Sequence, residues 1–285
     1  MVVAWSIPDT LDQTMIIALQ ILNWLLPMLY LAALIRYGSA FFLKGTLGRA
    51  RGLLPVIIAT HLAFLLLLAL HLHRPVPVSN YEVISVMALL TAGVYLLIER
   101  STGDHRSGVF VLAVVLVLQY TSSVFLPQSE LAGQAAGQSE ADWARLHILP
   151  SLAAYVALTV SAIYAAIHLA ALRDLKHRRF GVLFDRLPPL DKLSSMNWHA
   201  IVVGFIFMTL AVASGVLMVL LSHAQHSPDA KILSKIIAGG GAWIIYGVVV
   251  LGRYIGKWPM SKVSALALLG FAVVVALLVA STILS

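Results

Sequence analysis

LPPLDKLSSMNWHAIVVGFIFMTLAVASGVLMVLLS, residues 187–222, decides how the whole chain is read. It opens on a proline pair that forbids continuous helix. Two charged residues, Asp191 and Lys192, follow within a few positions, and none occurs between Asn197 and Ser222. A run of that length and character spans a hydrocarbon core about 30 Å thick, which needs roughly 20 helical residues. Backbone polar groups in lipid must be satisfied within the segment, so the run is read as a helix.

The same pattern recurs along the chain. Apolar runs near 15–35, 53–72, 83–98, 108–126, 149–172, 199–222, 232–251 and 263–284 predict eight transmembrane helices. With 60% apolar residues, 11% charged residues and a mean hydropathy of +0.94, the composition lies outside the globular range. The expected architecture is an all-α integral membrane protein, a single bundle of eight transmembrane helices, with residues 1–285 forming one polytopic domain. The first apolar run follows a tail without Lys or Arg and reads as an anchor rather than a cleaved signal.

The net charge of +7 is topology rather than a nucleic-acid footprint. Of the 19 Lys and Arg, all but Arg74, Arg145, Lys231 and Lys235 fall in alternate loops. The positive-inside rule then makes those loops cytoplasmic and both termini external, an N-out/C-out arrangement. The opposite side carries Asp9, Asp12, Glu130, Glu140 and Asp142. Residues 127–148 read as the longest outer loop, with a short interfacial helix over 141–145. Residues 173–197 read as a basic inner loop. Cysteine is absent, which removes disulfides, thiol relays and thiolate ligation. Gly239-Gly240-Gly241 inside the seventh span implies either tight helix packing or a flat cofactor against the backbone.

Ten histidines are many for so apolar a chain, and ionisable groups at membrane depth are functional candidates. Counting helix rise at roughly 1.5 Å per residue puts His71, His73, His147, His223 and His226 at the outer face and His61 near mid-membrane. His168 falls in the inner half of the fifth span, and His199 at the inner edge of the sixth. His105 and His177 lie in basic loops. Glu82 reads as a helix N-terminal charge. Arg74 and Arg145 could meet an anionic ligand group or lipid phosphate. Each outer histidine could instead be merely solvated at the headgroups, and His61 could be an interior histidine bonded to a neighbouring hydroxyl or backbone group.

LPPL at 187–190, Leu193, Ile201, Gly204-Phe205, Thr209-Leu210 and Ser214-Gly215 together resemble the signature of the CcsA/CcmC/HemX cytochrome c assembly superfamily. Pro77–Glu82, Leu146–Pro150 with Tyr155, Trp243–Gly247 and Gly252–Trp258 resemble further elements in the family's order. The resemblance implies haem handling in a membrane. It places an outer haem-ligand histidine at His147. Haem b takes two axial ligands from opposite faces, usually neutral imidazoles, and the preferred partner is His226, then His223, then His71. His61 is the buried alternative.

The chain departs from the synthases in lacking a Trp-rich WWD-type segment. Residues 222–231 contain no tryptophan, and no histidine follows His226. It therefore resembles the short HemX/YpjD-type branch, and a stand-alone cytochrome c synthase is not expected. The implied setting is a bacterial cytoplasmic (inner) membrane, with lipid and other membrane proteins of cytochrome assembly or respiration as partners. The rival reading is a haem-free accessory or regulatory subunit of a larger membrane complex. A transporter lacks the broken-helix repeats expected of one.

Overall fold

The computed structural model describes residues 9–43, 52–73, 77, 79–126, 142–178, 181–222 and 230–283. Among them there are nine helices and no strand. They are α1 (Asp9–Phe42), α2 (Leu53–His71), α3 (Asn80–Thr102), α4 (Gly108–Phe125), α5 (Asp142–Lys176), α6 (Val182–Arg186), α7 (Leu190–Ser222), α8 (Ala230–Tyr254) and α9 (Met260–Ile283). Seven of these, all but α6 and α9, are long and apolar enough to cross a membrane; α9 contributes a shorter apolar stretch over Met260–Ala276. The chain is a multi-pass helical membrane protein.

The helices divide into two compact units, residues 1–138 and 139–285. In the first, α1 lies against α2 and α4, and α3 lies against α4 and α2. In the second, α5 and α7 form the most extensive pair, α9 packs on α5 and α8, and α8 packs on α7. Large apolar side chains such as Ile17, Leu66, Leu97, Val117, Leu210 and Leu251 stand exposed, as a lipid-facing surface requires.

Several helices exceed the lengths that hydropathy alone suggests. The span expected at 83–98 runs from Asn80 to Thr102, because Ser79 and Glu82 form a capping box ahead of the apolar run. Ser79 Oγ accepts from the Tyr81 and Glu82 amides at 3.2 and 3.4 Å, and Glu82 accepts from the Ser79 amide at 3.4 Å. The short helix expected over 141–145 is instead the first turn of α5, continuous through Pro150. The inner loop expected over 173–197 is also mostly helical. Lys192 and Leu193 donate to the Pro189 carbonyl, so α7 begins directly after the proline pair. Hydropathy missed these turns because polar residues in a helix terminus look like loop.

Gly204 of α7 lies against α5, where a Cβ would stand 2.6 Å from Leu158 Cδ2. That closeness is what a small residue in a membrane interface permits. Tight packing does not explain Gly239, Gly240 and Gly241: no atom of the described residues lies within 4 Å of a Cβ built at any of them, the glycine's own surroundings in α8 aside.

Candidate functional site

In the second unit, His147 sits in the second turn of α5 and leans on the C-terminal half of α7. Its Nδ1 is 2.9 Å from the Ala211 carbonyl oxygen. A carbonyl only accepts, so Nδ1 carries the proton. Gly215 makes the approach possible, since a Cβ there would stand 3.1 Å from His147 Cε1. Ser151 Oγ gives its proton to the His147 carbonyl at 2.7 Å and lies 3.4 Å from Nε2, too long for a strong bond. In its neutral form the half-buried ring is therefore a single tautomer, with its lone pair on Nε2. An anchored Nδ1–H with a free Nε2 is the usual arrangement of a ligating imidazole, so the residues present fit one axial position of a haem.

The other expected ligands are distributed differently. His223 and His226 lie outside the described residues, as do Arg74 and the side chain of Arg145. His71 ends α2 in the first unit, buried, with its carbonyl accepting from His73 Nδ1 at 3.1 Å. His199 is exposed, its Nδ1 on the Ser195 carbonyl of its own helix at 2.7 Å. No cluster of three or more His, Asp or Glu that could hold a metal ion occurs among the described residues.

His61 is fully buried in the first unit, and both ring nitrogens meet side chains. Nδ1 is 3.0 Å from Tyr30 Oη and Nε2 is 2.9 Å from Ser85 Oγ. Ser85 donates its only proton to Gln119 Oε1 at 3.0 Å, so it accepts from His61 Nε2–H, and Tyr30 donates to Nδ1. The line continues from Gln119 Nε2 to Ser123 Oγ at 3.1 Å and from Ser123 Oγ to the Asn23 carbonyl at 2.8 Å. Asn23 returns a bond from Nδ2 to the Ser123 carbonyl at 3.0 Å. That Asn23 carbonyl is the one that Pro27, four residues on, leaves without its helical amide.

A second buried set lies in the other unit. Ser161 donates to Asn197 Oδ1 at 2.8 Å, Asn197 Nδ2 donates to Ser264 Oγ at 2.9 Å, and His168 Nδ1 is 3.0 Å from Ser264 Oγ. These residues join α5, α7 and α9. Sequence reasoning centred on histidine passed over the partners in both sets. The available signal was the isolated Asn or Gln within an apolar run, since intramembrane polar groups face the protein interior.

The residues of the 187–215 signature thus build the α5–α7 pairing. Leu187, Leu193 and Ile201 are buried, Gly204 admits Leu158, and Gly215 admits His147. Thr209 accepts from Trp243 Nε1 at 2.9 Å, tying α8 alongside, where Phe205 stacks on Trp243.

Fold and site define a polytopic helical membrane protein with an anchored, half-buried histidine on a helix pair in its second unit. The chain belongs to the cytochrome c assembly protein family, whose model matches residues 77–284. It is similar to the cytochrome c biogenesis protein CcsA of Heterosigma akashiwo (strain NIES-293 / 8280G21-1), 20% identical over 232 residues, 70% of this chain and 71% of that one. The protein of the same name from Chlorella vulgaris is 23% identical over 229 residues, with the same shares. The inner membrane protein YpjD of Escherichia coli (strain K12) is 27% identical over 119 residues, 41% of this chain and 43% of that one. No solved structure matches significantly.

Proposed function

We propose that this protein binds haem b near the outer membrane face, with His147 Nε2 as one axial ligand, in the service of cytochrome c assembly. The observation that carries the reading is the His147 ring, held by the Ala211 carbonyl and seated against Gly215. Haem would supply a ligatable iron able to change oxidation state. This chain's residues would orient the imidazole, hold its proton on Nδ1 and shield one side of the site with α7.

The glycine run of α8 supports the same location. Gly240 lies three residues from Trp243, about 4.5 Å along α8, and Ala211 two residues from Thr209, about 3 Å along α7. The two helices run antiparallel and meet at that pair, so the glycines stand level with the carbonyl that anchors His147. Their open faces suit a flat group better than a packed helix. The second axial ligand in this proposal is His226, with His223 as the substitute; His61, the buried alternative if His147 fails, would have to give up a side-chain bond to serve.

The membrane in this reading is the bacterial cytoplasmic membrane. The chain would cross it eight times as a single polytopic domain with both termini outside, working beside other membrane proteins of cytochrome assembly or respiration. An absorption spectrum of the full chain, purified from haem-replete cells, is the test. The expected result is a Soret band with sharp reduced α and β bands that His147→Ala largely removes. A protein colourless after haem-replete expression would refute haem binding and leave the accessory-subunit reading.

A further inference from the structure

We infer that the first unit contains a lipid-accessible binding site for an amphipathic molecule whose headgroup carries a hydroxyl, with Asn23 Oδ1 as the acceptor. The starting point is the line from Tyr30 through His61, Ser85, Gln119 and Ser123 to the Asn23 carbonyl. Donation runs one way along it, and each hydroxyl and ring proton is committed to the next member. Asn23 is itself 2% exposed, and its Oδ1 is buried with no hydrogen-bond partner among the described residues. A buried acceptor left unmatched is costly, and more so in a membrane, where water does not compensate. The set therefore lacks one donor, at its Asn23 end.

A cavity of about 510 Å³ lies at that end. Gln20, Asn23, Trp24, Met28, Ser123 and Val124 contribute to its walls. The volume falls within the range of small-molecule pockets, roughly 300–1,000 Å³. Its rim is apolar and outward-facing: Trp24 is 51% and Met28 66% exposed on a helix read as crossing the bilayer. A ligand arriving there comes from the lipid phase. The chemistry that fits is an alcohol or phenol donor for Asn23 beside an aromatic wall at Trp24, on a molecule with an apolar tail. An isoprenoid-type quinol and a glycerol-headed phospholipid both supply it. The inference is independent of the haem reading, since none of these residues is placed at the His147 site.

The test is native mass spectrometry of the full chain, released from phosphatidylcholine nanodiscs and titrated in separate arms with decylubiquinol and with phosphatidylglycerol. One saturable adduct per chain is expected in at least one arm, and the arm that saturates identifies the source of the hydroxyl. Asn23→Leu removes the acceptor and should weaken that adduct by about tenfold, as loss of one buried hydrogen bond does. Val124→Trp fills the cavity without touching a hydrogen-bonded group, so it should abolish the adduct even if Asn23→Leu does not fold. Absence of a saturable adduct in both arms would mean that water completes the set, and would overturn the inference. So would an adduct that survives Val124→Trp unchanged.

Discussion

At the scale of single residues, His147 and His61 show how the same side chain is placed in opposite surroundings. His147 has one nitrogen fixed by a backbone carbonyl, and among the described residues the other faces a hydroxyl at 3.4 Å. His61 has both nitrogens engaged by side chains. Substituting Gly215 by valine should therefore act like damage to His147. The added side chain starts 3.1 Å from the imidazole, a contact the ring must move to relieve. We expect Gly215→Val to weaken the haem spectrum or convert it to a high-spin form, whereas His177→Ala, at an exposed position, should leave it unchanged. A normal low-spin spectrum in Gly215→Val would mean that His147 is not the ligand. Gln119→Leu tests the other histidine's surroundings. It strands the Ser85 hydroxyl and the Ser123 acceptor, and a buried group left unmatched costs about 1–3 kcal/mol. Thermal unfolding in detergent should show that loss, without changing the haem spectrum.

Elements in this protein begin and end on local chemistry rather than on hydropathy. α3 starts at its Ser79/Glu82 capping box, four residues before the apolar run would suggest an ordered span. Ser79→Ala should cost about 0.5–2 kcal/mol in thermal unfolding, the range for a lost N-cap. An unchanged midpoint would mean that the membrane segment is held by packing alone. α1 crosses Pro27 without breaking because Ser123 of α4 takes over the carbonyl that the proline leaves free. The α5–α7 seam rests on Gly204 in the same way that the site rests on Gly215. Gly204→Leu should separate the pair, lowering the unfolding temperature and, through α7, disturbing His147 as well. If it lowers stability but leaves the spectrum intact, the lower and upper parts of the seam are independent.

For the whole molecule, the asymmetry of Lys and Arg predicts the orientation. A reporter fused after Ser285 should be active only outside the cytoplasm. Cytoplasmic activity would overturn eight spans with both termini outside, the span at 83–98 being the first to re-examine. The missing WWD-type segment makes a second expectation. Expressed as the only assembly component in a host stripped of its own, this chain should form no covalent holocytochrome from a CxxCH-bearing apocytochrome. Detection of one would show that the short chain catalyses attachment by itself.

Sequence alone determined the solvent, the all-helical fold and the family. Those properties are sums over many residues: the bilayer demands long apolar runs, and the signature at 187–215 is a contiguous string. It also drew attention to His147, through the separate Leu146–Pro150 element at the start of a span. Tertiary structure alone decided what each polar group faces. Nothing in the chain order reveals that Asn23 and Ser123, 100 positions apart, exchange bonds, or that Ala211 anchors His147 across 64. Nor could periodicity foresee that His61 would be occupied on both sides. Hydrogen bonds are short and directional, so their pairing depends on which helix faces are brought together, and that is set only when the helices pack.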